Sequence, residues 1–326
     1  MIISRTPLRI SFVGGGSDLP AFYRRHGGAV VSTAVDKYIY VNVNRKFDDG
    51  IRVAYSKTEE VSSVDKVEHP VVRAALRYLQ IQGGIEIATI ADIPSRGTGL
   101  GSSSAFAVGL LHALNAFRGR YVSGQQLGQD GCHIEIELCG EPIGKQDQYA
   151  AAFGGLNLIE FKADDSVVVS PVICAADTVR TLERNLLVFY TGITRSASEL
   201  LRRQSEHIAA SEQKRETLTR MVGLAYRLRD ELQQNNVDVV GEILHENWLL
   251  KKSLNEGVST DEIDAWYAAA RAAGATGGKL LGAGGGGFLL FYALPERHEQ
   301  IKAALPQLRP ISMGFEPLGS RIIFYH

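Results

Sequence analysis

PSRGTGLGSSSAF, residues 94–106, is the stretch that decides how this chain is interpreted. It follows GIEIATIADI (84–93), where apolar and polar residues alternate as in a half-buried strand. It leads into residues 102–117, which are apolar nearly all round and therefore predict a buried helix. Glycines let the backbone approach a ligand closely, and the free N–H groups at a helix N-terminus favour phosphate oxygens. We predict that this strand–loop–helix unit binds phosphate; the alternative is a glycine-rich turn with a serine helix cap.

Two further glycine-rich segments accompany it, PLRISFVGGGSDLP at 7–20 and GAGGGGF at 282–288. The chain contains no G-x-x-x-x-G-K-[ST], which argues against a Walker-type nucleotide loop. Residues 282–287 fit G-x-G-x-x-G, but no acidic residue follows about 20 positions later at a strand end, as a dinucleotide fold requires. The third segment is therefore either a flexible turn or a loop that comes close to bound phosphates or to the first half of the chain.

The amino-acid composition limits the classes of protein to which the chain can belong. The chain has 326 residues, of which 45% are hydrophobic and 22% charged, with a formal net charge of -1. This balance is typical of a globular protein with one large or two ordinary domains. It lacks the basic excess of nucleic-acid-binding proteins, and we expect neither a nucleic-acid nor a membrane partner. Three cysteines without C-x-x-C spacing indicate free thiols in a reducing compartment, and hence a cytoplasmic protein.

Strands and helices interleave without regular βαβ repeats, which predicts an α+β fold. We expect a first domain over residues 1–178 and a second over 179–326, with a linker near 175–181. One long charged helix is predicted over 196–233. A second helix is predicted over 259–273.

Ser259 and Glu262 have the spacing of a capping box, which would start the helix predicted at 259–273.

The three glycine-rich segments, in this order, resemble the signature motifs of the GHMP kinases, the family of galactokinase, homoserine kinase, mevalonate kinase and phosphomevalonate kinase. The resemblance spans nearly the whole chain. It implies a ribosomal S5-like N-terminal domain with the ATP loop and catalytic carboxylates, and a ferredoxin-like C-terminal domain with the third motif. It also implies ATP and Mg²⁺ bound between them. The residues expected to bind the nucleotide are Pro94, Gly97, Gly99, Leu100, Gly101, Ser102, Ser103 and Ser104.

The stretch EIELCGEPIGKQDQY (135–149) resembles the galactokinase segment that carries a magnesium ligand and a catalytic aspartate. The resemblance implies that Glu135 and Ser103 bind Mg²⁺, with Glu137 as the alternative carboxylate. It implies that Asp147 either accepts the proton of the substrate hydroxyl or orients that hydroxyl. Without the resemblance, each of these carboxylates would be interpreted as a solvated surface charge.

Arg9 falls where the family places a cation beside the catalytic aspartate. A fixed cation there would keep the carboxylate ionised and offset charge on the phosphoryl group, whereas the alternative is a surface ion pair. Asp18 matches the position that holds ring hydroxyls in sugar kinases of the family; the alternative is an Asx turn or helix cap. The residues expected to bind the substrate are Gly15, Gly16, Ser17, Asp18, Gly284 and Gly285.

Residues 9–23, 27–41 and 140–157 are similar to one branch of the family, the bacterial D-glycero-D-manno-heptose 7-phosphate kinases. The resemblance implies phosphorylation of the anomeric hydroxyl of a sugar phosphate, a step toward nucleotide-activated heptose for capsule or lipopolysaccharide. The cations considered for the substrate phosphate are Arg24, Arg25, Lys145 and Arg195. Two alternatives stay open: a kinase of another sugar of the fucose or galactose type, and a non-catalytic sensor of ATP and sugar. A homodimer is also left open.

Overall fold

Two β-sheets with helices packed on them form the fold in the computed structural model, which describes residues 1–93, 97–194 and 197–326. The strands in these ranges are β1 (Ile2–Val13), β2 (Gly28–Arg45), β3 (Ile51–Ala54), β4 (Thr58–Val61), β5 (Ile85–Ala91), β6 (Leu156–Phe161), β7 (Val167–Pro171), β8 (Leu186–Tyr190), β9 (Gly277–Leu280), β10 (Phe288–Tyr292), β11 (Arg309–Ile311) and β12 (Arg321–Tyr325). The helices are α1 (Pro20–His26), α2 (Pro70–Tyr78), α3 (Ser102–Phe117), α4 (Gly124–Cys132), α5 (Gln146–Phe153), α6 (Ala176–Arg184), α7 (Ala197–Ala210), α8 (Glu212–Gln233), α9 (Val240–Leu254), α10 (Asp261–Ala272) and α11 (His298–Ala304).

The first sheet has the order β12-β1-β2-β5-β3-β4, with β6 and β7 added beside β2. Its pairings are antiparallel except for β3 with β5. The long strands β1 and β2 are rich in β-branched and aromatic residues, which suit a pleated, half-buried surface. β1 ends at the first glycine-rich segment, so the sheet itself positions one wall of the site described below.

The second sheet is antiparallel, with the order β11-β8-β10-β9. It packs on a core of its own that includes Phe189, Trp248 and Phe291. The strand β12 leaves this half and pairs with β1, so the chain returns to the first sheet at its end. The mixed α+β fold class is confirmed, and the domain boundary after residue 178 stays a prediction.

The segment near residues 175–181, predicted as the linker, is helical, because α6 begins at Ala176; its role as a linker stays a prediction. The helix forms there since Thr178 and Leu182, four positions apart, are both buried on one face.

Helix α3 is buried as expected, with Leu110, Leu111 and Leu114 fully enclosed. The helix has 16 residues. Across the described ranges, no helix combines the length and the apolar character needed to cross a membrane.

The helix predicted over 196–233 is instead two helices, α7 and α8. They are separated at Ser211, whose hydroxyl accepts a hydrogen bond from the Lys214 amide at 3.4 Å and caps α8. Such a local side-chain bond competes with continuation of the helix.

The capping box predicted for α10 is also wrong. Thr260, rather than Ser259, caps that helix by accepting from the Ile263 amide at 3.3 Å. The Ser259 hydroxyl instead donates to Asp264 at 2.8 Å.

Candidate active site

A cavity of about 640 Å³ lies where the end of β1, the start of α3 and the second half of the chain meet. All three glycine-rich segments contribute to its wall. Its lining includes Arg9, Ser11, Gly15, Gly16, Asp18, Gly97, Thr98, Gly99, Gly101, Ser102, Ser103, Ser104, Glu135, Gly144, Gln146, Asp147, Gln204, Lys251, Lys279, Gly282 and Ala283. The described residues therefore bring most of the predicted site together in one place.

The glycine-rich loop before α3 depends on backbone that only glycine adopts easily. Gly97, Gly99 and Gly101 have φ angles of +67°, +76° and +74°, and Gly101 is the N-cap of the helix. A Cβ on Gly99 would meet the Leu281 carbonyl, and one on Gly282 would overlap Gly99. The third segment therefore touches the first half of the chain, which is one of the alternatives that the sequence left open, and its contact with phosphates stays a prediction.

Glu135 is a fully buried carboxylate beside the start of α3. It lies on a π-helical turn, His133–Leu138, that follows α4. Its Oε1 accepts from the Ser103 hydroxyl at 2.8 Å and its Oε2 from Gln148 Nε2 at 2.7 Å. Burial raises the pKa of Glu135 to about 6, because these neutral donors only partly replace water.

This pair of oxygen ligands fits Mg²⁺, which is bound in phosphotransferases through one or two carboxylates, with water and phosphate oxygens completing the shell. A cation there would also remove the unfavourable burial of the Glu135 charge. Glu137, the alternative carboxylate, lies away from the site. Its side chain is 69% exposed and contacts His133 Nδ1 at 2.7 Å.

Arg9 and Asp147 form an ion pair inside the cavity. Arg9 Nε and Nη2 contact Asp147 Oδ1 at 2.8 and 2.6 Å, which leaves Oδ2 outside this pair. Arg9 Nη1 also donates to the Gly99 carbonyl at 2.6 Å. The Arg9 side chain is 5% exposed and that of Asp147 25%, so the carboxylate keeps access to the cavity. The juxtaposition implied by the family resemblance is present, and one arginine joins the carboxylate to the glycine-rich loop.

Asp18 is a second buried carboxylate in the cavity, held in one orientation. It accepts from the Gly16 amide at 3.0 Å and from Gln146 through its backbone amide at 3.2 Å and its Nε2 at 3.0 Å. Burial raises the pKa of Asp18, and the nearby charge of Asp147 raises it further. A Cβ on Gly144 would overlap the Asp18 carboxylate. Neither Gln146 nor Gly144 was predicted, because only the folded chain shows that they contact Asp18.

Two of the predicted ligand-binding residues lie behind the cavity rather than in its wall. Leu100 is fully buried, and its carbonyl accepts from the Arg9 amide at 3.0 Å. The Ser17 hydroxyl donates to the Gly14 carbonyl at 2.7 Å. Neither side chain lines the cavity, and both residues instead shape the loops that do. Pro94 lies outside the described residues.

The substrate contacts predicted for Gly284 and Gly285 find no support in this geometry. The Gly285 amide donates to the Val258 carbonyl at 3.0 Å, and a Cβ on Gly284 would crowd the same residue. In the part of the third segment that the structure describes, Gly282 and Ala283 line the cavity instead. Because this segment consists almost entirely of glycines, the sequence does not show which of its residues face the cavity.

Two of the four cations considered for a substrate phosphate are engaged elsewhere. Arg24 and Lys145 both contact Asp165, at 3.1 and 3.3 Å. Arg25 is exposed on α1. Arg195 lies outside the described residues.

Two lysines that the sequence did not single out are buried against the cavity instead. Lys251 Nζ donates to the Gly282 carbonyl. Lys279 Nζ donates to the carbonyls of Ser11 and Phe12 at 2.7 and 2.9 Å. The one feature of the sequence that could have indicated a buried lysine is Lys279, which stands alone among apolar residues and glycines in GGKLL (277–281).

Several buried polar atoms in the wall have no hydrogen-bond partner within the described residues. They are Ser11 Oγ, Thr98 Oγ1 and Gln146 Oε1. Buried polar groups are nearly always hydrogen-bonded, so these unpartnered atoms show that the wall is polar just beneath its surface.

Fold and site together define a phosphotransferase: glycines at a helix N-terminus, an acidic oxygen ligand and an arginine-paired carboxylate share one cavity. The family model for the GHMP kinases N terminal domain matches residues 67–155, and that for the GHMP kinases C terminal domain matches residues 228–310. The two matches together cover more than half of the chain. The chain belongs to the GHMP kinase family, and it is an ATP-dependent kinase.

Relatives within the family act on different substrates. The chain is 29% identical to a D-glycero-alpha-D-manno-heptose 7-phosphate kinase of Campylobacter jejuni, over 93% of this chain and 92% of the relative. It is also 29% identical to a mevalonate kinase of Pyrococcus horikoshii, over 92% and 83%. The crystal structure of a D-glycero-D-manno-heptose 1-phosphate kinase from Bacteroides thetaiotaomicron superimposes with a TM-score of 0.82 at 25% identity, over 100% of both chains.

Proposed function

We propose that this kinase transfers the terminal phosphoryl group of ATP to the anomeric hydroxyl of D-glycero-D-manno-heptose 7-phosphate, giving the 1,7-bisphosphate. The observation that carries this proposal is the convergence of the Arg9–Asp147 pair and the fixed Asp18 carboxylate on one cavity at the start of α3. The Arg9–Asp147 pair supports reaction at a hydroxyl, and the Asp18 carboxylate supports recognition of neighbouring hydroxyls.

The residues that would hold the nucleotide are the loop at 97–101 and the first turn of α3. Ser103 and Glu135 would hold Mg²⁺, which when bound neutralises charge on the phosphates. The free backbone N–H groups at the start of α3 and the positive end of its helix dipole also favour binding of these phosphates. These features also explain why the buried Glu135 carboxylate has only neutral partners among the described residues.

The remaining residues act on the acceptor. Asp147 Oδ2 lies outside the ion pair and can accept the proton of the attacking hydroxyl or orient that hydroxyl. Arg9 pairs with the Asp147 carboxylate and fixes its position against the glycine-rich loop. Asp18, held by Gln146, can accept hydrogen bonds from ring hydroxyls through its carboxyl oxygens.

A polyol fits this wall better than an apolar acceptor. Ser11, Gln146 and Asp18 line the cavity together and bring hydroxyl, amide and carboxylate groups to this part of its wall. The similarity to heptose phosphate kinases over nearly the full chain supports a heptose phosphate among the sugars. A fucose-type sugar is the second candidate, because an L-fucokinase/L-fucose-1-P guanylyltransferase of Bacteroides fragilis is 28% identical over 95% of this chain.

The test is turnover with a panel of acceptors. Purified protein with Mg·ATP would be mixed with heptose 7-phosphate, unphosphorylated heptose, fucose, galactose and mevalonate, and the new phosphate located by ³¹P and ¹³C NMR. We expect a phosphate on the anomeric oxygen of heptose 7-phosphate, with kcat/KM at least about tenfold above the other acceptors. Preferential phosphorylation of another acceptor, or of another position, would refute the substrate assignment. Binding of ATP and sugar without turnover would favour a sensor.

A further inference from the structure

Lys251 is a buried cation in the wall of the active-site cavity that the proposed chemistry has not yet used. It lies on α9 and is only 5% exposed. Its Nζ donates to the Gly282 carbonyl, which accounts for one of the three donors of an ammonium group. Within the described residues it forms no ion pair. A buried charge without a partner is costly, so its presence in a cavity indicates an anionic ligand.

The charges around Lys251 are those of the reaction centre. Burial lowers the pKa of Lys251 to about 8, and the positive charge of Arg9 lowers it further, whereas Asp18 and Asp147 oppose the shift. The group is therefore largely protonated at neutral pH. Lys251, Arg9, Asp18 and Asp147 all line the same cavity.

The contacts of Lys251 place its ammonium at the junction of two glycine-rich loops. Its acceptor, Gly282, packs against Gly99 so closely that a Cβ on either glycine would overlap the other loop. The Gly99 carbonyl in turn accepts from Arg9 Nη1 at 2.6 Å. Lys251 and Arg9 therefore reach the same junction, beside Asp147 and the start of α3.

We propose that Lys251 binds the terminal phosphoryl group of ATP during its transfer, as a second cation beside Arg9. In this step the bond from the bridging oxygen to the γ-phosphorus breaks, and the β-phosphate keeps the electron pair. A bond forms from the acceptor oxygen to the γ-phosphorus, and the hydroxyl proton leaves toward Asp147. Negative charge on the transferred group is stabilised by fixed cations. This inference rests on the proposed kinase function but not on the identity of the sugar.

The test compares two nucleotides that differ in the terminal group. Calorimetry with Mg·ADP and with the non-hydrolysable Mg·AMP-PNP would be done on the wild type, Lys251→Gln and Lys251→Arg, without sugar. We expect Lys251→Gln to lose about tenfold in affinity for AMP-PNP and to bind ADP within about twofold of wild type. Lys251→Arg keeps a cation and should retain most of the preference for AMP-PNP. With the preferred acceptor, kcat of Lys251→Gln should fall by about 100-fold with a smaller change in KM.

Lys252 provides a matched control on the next position of α9. Its Nζ contacts Asp264 at 2.9 Å and lies 5.9 Å from the Trp248 ring, outside the cavity lining. Lys252→Gln should leave both nucleotide affinities and kcat unchanged.

Three results would overturn the proposal. Equal loss of ADP and AMP-PNP affinity in Lys251→Gln would show that the lysine only supports the Gly282 loop. Unchanged affinity for both would show no phosphate contact. A loss confined to the KM of phosphorylated sugars would assign Lys251 to the substrate phosphate. If the wild type bound neither nucleotide, the proposed function itself would fail, whereas a different preferred sugar would leave the Lys251 test intact.

Discussion

Replacing Glu135 by glutamine should stabilise the ligand-free protein at neutral pH while removing the carboxylate proposed to bind Mg²⁺. The substitution preserves shape. A glutamine amide can accept from Gln148 Nε2 and donate to the Ser103 hydroxyl, two of the groups that now contact Glu135; the Ser104 hydroxyl is a third. What changes is the charge, which in the native protein is fully buried.

The magnitude follows from the pKa of Glu135, which burial raises from 4.5 to about 6. The folded state therefore binds more protons than the unfolded state between these two values, and the free energy of unfolding falls as pH rises through that window. A shift of this size corresponds to a destabilisation of the folded protein by about 2 kcal/mol when Glu135 ionises. This penalty is fully present above pH 6 and absent below pH 4.5. Glutamine does not ionise, so the variant should gain about 2 kcal/mol over wild type at pH 7 and nothing at pH 4.

The assay is urea unfolding followed by circular dichroism between pH 4 and pH 7.5, in the presence of a chelator. Glu137→Gln is the control, because that side chain is exposed and should show no such pH-dependent gain. A Glu135→Gln variant less stable than wild type at pH 7, or a stability difference that does not change between pH 4 and pH 7, would refute the reasoning. The same variant should lose turnover at Mg²⁺ concentrations that saturate the wild type.

Four further outcomes test the remaining roles. Asp147→Ala should lower kcat by a factor of about 10² to 10⁴ while ATP still binds in calorimetry; near wild-type turnover would exclude it as the proton acceptor. Asp18→Asn should raise the sugar KM and lower kcat with little change in ATP affinity, and an effect confined to ATP would contradict its role. Gly144→Ala should displace the Asp18 carboxylate and reproduce the Asp18→Asn phenotype in steady-state kinetics, whereas unchanged sugar KM would show that the contact is unimportant. Ser103→Ala should raise the Mg²⁺ concentration needed for half-maximal activity, and an unaltered requirement would shift that duty to its serine neighbours.

Local sequence was enough to predict the elements around the glycine-rich loop at 97–101. The alternation before residue 94, the glycines that need positive φ and the apolar run of α3 all fall within residues 84–117. The pairing of Arg9 with Asp147, in contrast, could not be predicted from local sequence. These residues lie 138 positions apart, and only the resemblance to a family, not any spacing rule, brought them together.

The parts that could not be predicted depend on tertiary packing. Lys251 and Lys279 look like ordinary lysines in the sequence, and only the fold buries their ammonium groups against the cavity. Thr260 and its neighbour Ser259 are both common helix-cap residues, and the backbone decides between them. The break between α7 and α8 is local by contrast: the sequence around Ser211 carries helical spacing on both sides, and the break coincides with the Ser211 cap.

Lys279 limits how the two sheets can move relative to each other. Its Nζ reaches from β9 of the second sheet to two carbonyls near the end of β1 in the first. Burial lowers the pKa of this amine well below its usual value, so we count the contacts as ordinary hydrogen bonds, each of which stabilises by about 0.5–1.5 kcal/mol. These contacts join the two sheets at one wall of the cavity. Any hinge motion that separated β9 from β1 during turnover would have to break both hydrogen bonds, so we expect the sheets to stay together at this point.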